Sequence, residues 1–344
     1  MIEIQRLPDI VTLQYSELMQ QCIQPAPDGS NISFKSKKVA GQRYWYMYIS
    51  LGNRQSEHYL GKETTELLDK IDEEKSLWES TKDDRKVRAR LVAMLLAGGA
   101  TITPNNEGKV IALLEKSGMF LAGGVVIGTL AFRAYANMLG VIWHSQLQTR
   151  DIDLASDYKF PIVIPRRKKT INLSDILFNS GMGFLEVPAL NHKSPSTKFK
   201  IQGQELSVEL LTPMRGRETA KPIKIPELSA FAEPIRFLDY LLDDIQPAVL
   251  LYKHGVLINV PAPARFAFHK LVVSQRRRAG DVEKIKRDLS QAEQLFEILV
   301  DGRPGDLIMA HEAAEKMGKK FMAQLVSGMK LIRPEVSKAV GEFM

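Results

Sequence analysis

Two aspartates, Asp151 and Asp153, flank Ile152 in the stretch "TRDIDLAS". If that stretch is a strand, residues two apart share a face, so both carboxylates point the same way while Ile152 is directed into a core. Two anions a few ångströms apart repel unless a cation lies between them. A hard divalent ion such as Mg²⁺ or Mn²⁺ takes oxygen ligands of this kind, and paired ions of that class clamp both ends of an in-line phosphoryl displacement. Asp-x-Asp also occurs in turns and helix caps, so its meaning depends on its neighbours.

Two further features bear on it. "VVIGT" is an apolar strand ending in Gly128-Thr129 and running directly into the helical pattern "TLAFRAYANML". Such a turn exposes backbone N–H groups and a hydroxyl at the positive end of a helix, which suits a triphosphate. An ordinary N-cap threonine leaves the same trace. Arg133, one turn into that helix, can face the same phosphates. "LSVELLTP" sets Glu209 in an otherwise apolar alternating strand, on the face of Ser207 and Leu211 and opposite Val208 and Leu210. It either looks out at solvent or adds a third carboxylate to the aspartate pair.

Together these pieces resemble the DNA polymerase β-like nucleotidyltransferase superfamily. There, an apolar-Gly-Gly/Ser/Thr turn opens a helix, Asp-x-Asp follows, and a third acid stands on a later strand. The nearer resemblance is to bacterial nucleotidyltransferase-like proteins carrying "GT.AF..Y", then "T.DID.A", then an acid-Leu-Leu-Thr-Pro segment. Gly128, Thr129, Ala131, Phe132, Tyr135, Thr149, Asp151, Asp153 and the run from Glu209 occupy those places, over about residues 118 to 215.

The resemblance implies Asp151, Asp153 and Glu209 as catalytic residues and metal ligands, with Mg²⁺ or Mn²⁺ bridging the phosphates of an NTP substrate. Glu209 would help to activate an acceptor hydroxyl, and pyrophosphate would leave. Gly128, Thr129, Arg133 and Lys270 would hold the nucleotide. Lys270, in "PARFAFHKLVVSQRRR", resembles the triphosphate-binding lysine of abortive-infection nucleotidyltransferase toxins. Arg276, Arg277, Lys284 and Asp288 follow it as weaker candidates, with solvated helix face as their plainer reading. The chain departs from the pattern in two ways. The third acid is commonly aspartate, and Glu209 is one methylene longer. The interval from Gly128 to Asp151 is also longer than in compact members, so Gly123-Gly124 stays open as the phosphate turn; close packing inside a strand is the preferred reading of that pair.

At 344 residues the chain exceeds one ordinary core, and two or three domains are expected. Residues 8 to 23 carry apolar positions at helical spacing. "ISFKSKKVAGQRYWYMYISLGNRQSEHYLG" switches to period two and reads as a small antiparallel sheet, with Tyr44, Tyr46 and Tyr48 on one face and Trp45, Met47 and Ile49 on the other. From Thr64 to Lys116 the pattern is helical and charged, broken at "GGATITPNNEG". Next, "MFLAGGVVIG", "DIDLAS", "FPIVIP" and "ELSVELLTP" read as strands or extended segments, interleaved with helix. Past Pro226 helices dominate: "EPIRFLDYLLDD", "PARFAFHKLVVSQRRR", "DVEKIKRDLSQAEQLFEILV" and "PGDLIMAHEAAEKMGKKFMAQLVSGM". A hairpin, "AVLLYKHGVLINV", turns at His254-Gly255.

The expected fold is therefore α+β. An N-terminal helix and small antiparallel sheet fill 1–75 and a helical connector 76–117. A polymerase-β-like core of mixed sheet and helices spans 118–225, and a mainly helical domain spans 226–344.

The formal charge is +7, and the basic residues cluster in "FKSKK" at 34–38, "RRKK" at 166–169 and "RRR" at 276–278. Such clusters attract polyanions, or they are solvated loop and helix ends. RNA, with a tRNA end as the obvious case, is the favoured acceptor; a protein side chain or small molecule remains open. A different class of function is a non-catalytic nucleic-acid-binding or regulatory protein on the same fold. Tyrosines interleaved with lysines can stack bases, or they pack the small sheet.

The single cysteine, Cys22, precludes an intramolecular disulfide and a Cys-based zinc site. The histidines, among them His144, His254 and His269, lack ligand spacing. No Walker A, G-x-S-x-G or Rossmann fingerprint occurs. The charged start "MIEIQRLPDI" and the absence of a spanning apolar run point to a cytoplasmic protein without a membrane segment.

Overall fold

The computed structural model describes residues 4–23, 32–39, 41–51, 54–144, 151–157, 171–189, 194–219, 221–278 and 280–344. Thr149, the expected extended segment "FPIVIP" and the basic block at 166–169 lie outside them.

The chain begins with β1 (Gln5–Arg6) and α1 (Asp9–Ile23). Val11, Tyr15, Leu18 and Cys22, at alternating intervals of four and three, form the buried stripe of α1. Three strands follow, β2 (Ile32–Val39), β3 (Gln42–Leu51) and β4 (Arg54–Lys62), paired antiparallel in that order. A long helix, α2 (Thr65–Ala97), is capped by the Thr64 hydroxyl, which accepts the Leu67 N–H at 3.2 Å. Then comes α3 (Asn105–Lys116).

The central region is assembled from β5 (Val125–Ile127), α4 (Gly128–Leu139), β6 (Val141–Ile142), β7 (Asp151–Ala155), α5 (Leu173–Phe178), β8 (Phe184–Glu186), β9 (Lys198–Ile201), β10 (Ser207–Met214), β11 (Ile223–Ile225) and β12 (Ala230–Arg236). Its sheet has the order β11-β12-β10-β7-β5, with β9 on β10 and β8 on β9. It is mixed, as expected: β7, β10 and β12 run parallel to one another, while β5 and β9 are antiparallel to their neighbours. The remaining elements are α6 (Leu238–Leu242), the hairpin of β13 (Ile245–Leu250) and β14 (Val256–Pro261), and then α7 (Pro263–Ser274), α8 (Val282–Gly302), α9 (Pro304–Lys316), α10 (Lys319–Met329) and α11 (Pro334–Gly341).

One apolar cluster extends from Val110 to Val340, so α7 and α8 share a core with the sheet. A second joins α1 and the end of α2 to Val249 and Leu251 of the hairpin region. There the buried Tyr15 hydroxyl donates to the Val249 carbonyl at 3.1 Å and accepts its N–H at 2.9 Å. No described helix is long and apolar enough to cross a membrane.

Three local expectations change. "EPIR" belongs to strand β12 rather than to a helix; Ala230, Ala232 and Pro234 alternate as its buried positions, and a proline there is incompatible with a helix interior. "MFLAGGVVIG" is strand only at Val125–Ile127, because the chain turns through Gly118 and Gly123 at φ 84° and 86°. The last expected helical stretch is two helices, separated at Gly318, whose φ of 88° ends the first.

Candidate active site

The site begins with strand register. β10 lies parallel to β7, with Ser207 opposite Asp151 and Glu209 opposite Asp153. On its other edge β9 sets Lys198 opposite Glu209. Residues opposite one another share a face. Asp153, Glu209 and Lys198 therefore form a row across three strands, with Asp151 and Ser207 beside it. Ile152, Leu154, Val208 and Leu210 are fully buried on the other face. The Ser207 hydroxyl donates a short hydrogen bond to Asp151 Oδ1. Lys198 Nζ stands 3.5 Å from Asp151 Oδ1 and 3.7 Å from Glu209 Oε2.

Gly128 closes the site from the next strand. β5 is antiparallel to β7 with Ile127 opposite Asp153, so the strand delivers the head of α4 to the carboxylates. Gly128 has φ 65°, and a Cβ there would lie 2.1 Å from Asp153 Oδ2. Both the backbone conformation and the close approach require glycine. Thr129 is buried directly behind it. Gly123 and Gly124 lie before β5, at its other end; a Cβ on Gly124 would meet Met119 at 2.9 Å.

Cations reach Asp153 from the helical side. Asp288 of α8 is 2% exposed and accepts from Lys270 Nζ at 2.6 Å and from Arg277 Nε at 3.0 Å. Burial works against that carboxylate, but Lys270 and Arg277 outweigh it and hold its pKa below the usual range. Sequence alone offered Arg277 and Asp288 only as weak candidates, and the structure joins both to Lys270. Burial pushes the pKa of Asp153 up and Asp151 adds to this, against the charges of Lys270, Lys198 and Arg277.

The other candidates have surroundings of their own. Arg133 has an acidic partner on another helix. It is 6% exposed and ion-paired to Glu107 of α3, because a buried guanidinium needs a compensating anion. Arg276 pairs with Glu218 at 3.2 Å, and Lys284 with Asp281 at 3.9 Å on the surface. His269 is buried, its pKa lowered to about 3 by burial, and it stays neutral.

Glu209 has a partner that the sequence pattern did not reveal. Its pKa rises from 4.5 to about 7, mainly through burial; Lys198 opposes this, while a hydrogen bond with Glu233 of β12 and the charges of Asp153 and Glu233 add to it. The signal for Lys198 is present in "KFKIQGQELSVEL": two alternating runs about a glycine turn make a hairpin, which sets Lys198 near Glu209. Glu233 gives no such signal, because its segment resembles a helix.

Among the described residues, no three side chains of metal-ligating type gather round one point as they stand. The donor chemistry nonetheless fits a hard divalent ion. Three carboxylates share one sheet face, and burial raises the pKa of two of them, Asp153 and Glu209.

A pH dependence follows. A group protonated more readily in the folded state stabilises the fold below its unfolded pKa, and the gain is lost as pH rises through the folded value. Between about 4.5 and 7 the unliganded protein therefore loses stability through Glu209. Glu209→Gln should remove on the order of 2–3 kcal/mol of that fall. Denaturant titrations at several pH values without metal check this; an unchanged slope in the variant counts against a strained Glu209.

A family model described as nucleotidyltransferase matches residues 105–315, from α3 into α9. Neither a curated protein nor a solved structure gives a match to the chain. The family match spans well over half of the sequence and takes in both carboxylate strands and the helix of Lys270, and by it the chain belongs to the nucleotidyltransferase family, whose general function is nucleotidyl transfer.

Proposed function

We propose that the protein transfers a nucleoside monophosphate from an NTP to an acceptor hydroxyl, using a divalent metal, Mg²⁺ or Mn²⁺, held by Asp151, Asp153 and Glu209. The observation that carries this reading is the in-register meeting of Asp153 and Glu209 on parallel strands, against the bare Cα of Gly128. Held by these three carboxylates, a divalent ion would supply positive charge to the phosphates during transfer. The chain's own groups do the rest.

Backbone N–H groups at the head of α4, with the Thr129 hydroxyl, receive the triphosphate. Lys270 and Arg277, aimed by Asp288, carry positive charge toward it. Glu209, opposite Asp153 in the carboxylate row, would help to activate the acceptor hydroxyl by taking its proton. The hydroxyl oxygen bonds to the α-phosphorus as the bond to the bridging oxygen breaks, and pyrophosphate leaves.

RNA is the favoured acceptor class, on the strength of the +7 charge and the clusters at 34–38 and 276–278; a protein or small-molecule hydroxyl is the alternative. A cytoplasmic setting belongs to the same reading and rests on the single cysteine.

Incubation with each labelled NTP, Mg²⁺ or Mn²⁺ and total cellular RNA tests metal, nucleotide and acceptor together. Metal-dependent label in RNA is expected. Label in protein instead moves the acceptor class, and no transfer or pyrophosphate release under any combination overturns the reading. The second reading, a non-catalytic nucleic-acid-binding or regulatory protein, is favoured by one observation: the Lys198 ammonium already stands between Asp151 and Glu209.

A further inference from the structure

The small N-terminal sheet has two unlike faces. Along β4, Gln55, Glu57 and Tyr59 are exposed while Ser56, His58 and Leu60 are half-buried. The half-buried side is turned to α2: Phe34, across from Met47, stacks on Trp78 of that helix with ring centres 5.1 Å apart and 6° between planes. Tyr44, Tyr46 and Tyr48 belong to the other face, with Lys35 opposite Tyr46, Lys37 opposite Tyr44 and Tyr59 opposite Tyr46.

That outward face is unusual for a sheet surface open to water, which ordinarily alternates to small polar or charged residues. Four tyrosines adjoin there. Tyr59 is 60% exposed, and its ring meets those of Tyr46 and Tyr44 at centroid distances of 5.5 Å and 6.3 Å, tilted by 60° and 42° rather than laid flat on them. Lys37 Nζ stands 4.5 Å from the Tyr46 ring centre and Lys35 Nζ 5.1 Å from that of Tyr48. Glu57 is the acid of this face, bonded to Lys37 at 2.7 Å and accepting the Tyr48 hydroxyl at 2.7 Å. Against it stand Lys35, Lys37 and Lys62, all exposed.

We propose that this face binds single-stranded nucleic acid, with Tyr46 and Tyr59 stacking unpaired bases while Lys35 and Lys37 track the phosphates. Cations beside half-buried rings, with the exposed ring of Tyr59 next to them, match the two repeating chemistries of a single strand, a charged backbone and a flat apolar base. A duplex keeps its base faces hidden and has no use for the tyrosines. The inference does not rest on the transfer reading, since the face needs neither nucleotide nor metal.

The test uses the full chain without NTP or divalent ion. Fluorescence anisotropy of labelled oligo(U), oligo(dT) and a blunt duplex is followed over a series of salt concentrations. Both single strands should bind more tightly than the duplex, and the tighter of the two identifies the preferred backbone. Lys35→Ala combined with Lys37→Ala should flatten the slope of log affinity against log salt by about 1.4, roughly 0.7 for each phosphate that is no longer neutralised. Tyr59→Ala and Tyr46→Ala should each weaken binding roughly 5- to 150-fold with the salt slope unchanged. Tyr59→Ala removes an exposed ring, so an unchanged melting curve shows the fold intact. Wild-type affinity in the tyrosine variants, or equal affinity for the duplex, overturns the proposal. Because no NTP is present, that failure leaves the transfer reading standing, and a failure of transfer leaves this one.

Discussion

Asp153→Asn is expected to abolish nucleotidyl transfer while leaving the unliganded protein at least as stable as the wild type. Asp153 is the most enclosed of the three carboxylates, and burial together with Asp151 already disfavours its charge. An amide of the same shape removes that conflict without opening a cavity. The site would lose one of the negative charges proposed to hold the metal. Removing one preorganised electrostatic group from an active site costs at least about 10²–10³-fold in rate. Asp151→Asn should act in the same direction, with the amide still able to accept from Ser207. Calorimetric Mn²⁺ titration separates loss of the ion from loss of chemistry. Unchanged Mn²⁺ binding in both variants would defeat the assignment of the carboxylates as ligands, as would wild-type transfer in either.

Why these acids are legible in the sequence and others are not comes down to period and register. Asp151, Asp153 and Glu209 are charges inserted into apolar strands, and a period of two is enough to say which of them share a face with which neighbours. Lys198 and Glu233 reach the site only through pairing across strands, and β10 pairs with β7 on one edge and with β9 and β12 in succession on the other. No single segment carries that information. Arg133 shows the converse limit. Its place in α4 is evident, but its direction depends on Glu107, which arrives from a different helix 26 residues earlier.

The same reasoning applies to the fold. Long amphipathic stretches such as α1 and α8 announce themselves because one stripe is buried. β12 reads as helix because "RFLDYLL" continues it with helical spacing, and what holds Ala230–Arg236 extended is the ladder to β10, a pairing distant in sequence. For the small sheet, alternation separates the tyrosines from Trp45, Met47 and Ile49, but both sets are aromatic or apolar. The contact with Trp78, arriving from α2, identifies the packed side.

Gly128 offers the second large effect, and it also tests which glycine pair is the proposed phosphate turn. At φ 65° any side chain is strained, and a Cβ would lie 2.1 Å from Asp153 Oδ2, a separation that forces the carboxylate away. Gly128→Ala should therefore cost about 1–2 kcal/mol of stability for the left-handed backbone, and Gly128→Val, with more bulk, should lose nucleotide affinity by about a hundredfold or more. The control is Gly124→Ala. Its Cβ would press on Met119 at 2.9 Å, away from the carboxylates, so overpacking of about 1–3 kcal/mol is expected with nucleotide affinity retained. Measuring NTP affinity and denaturant midpoints on the same three variants keeps folding and binding apart. The reverse pattern, with affinity kept in the Gly128 variants and lost in Gly124→Ala, would move the phosphate turn to Gly123-Gly124. It would also leave the close approach of Gly128 to Asp153 as packing alone.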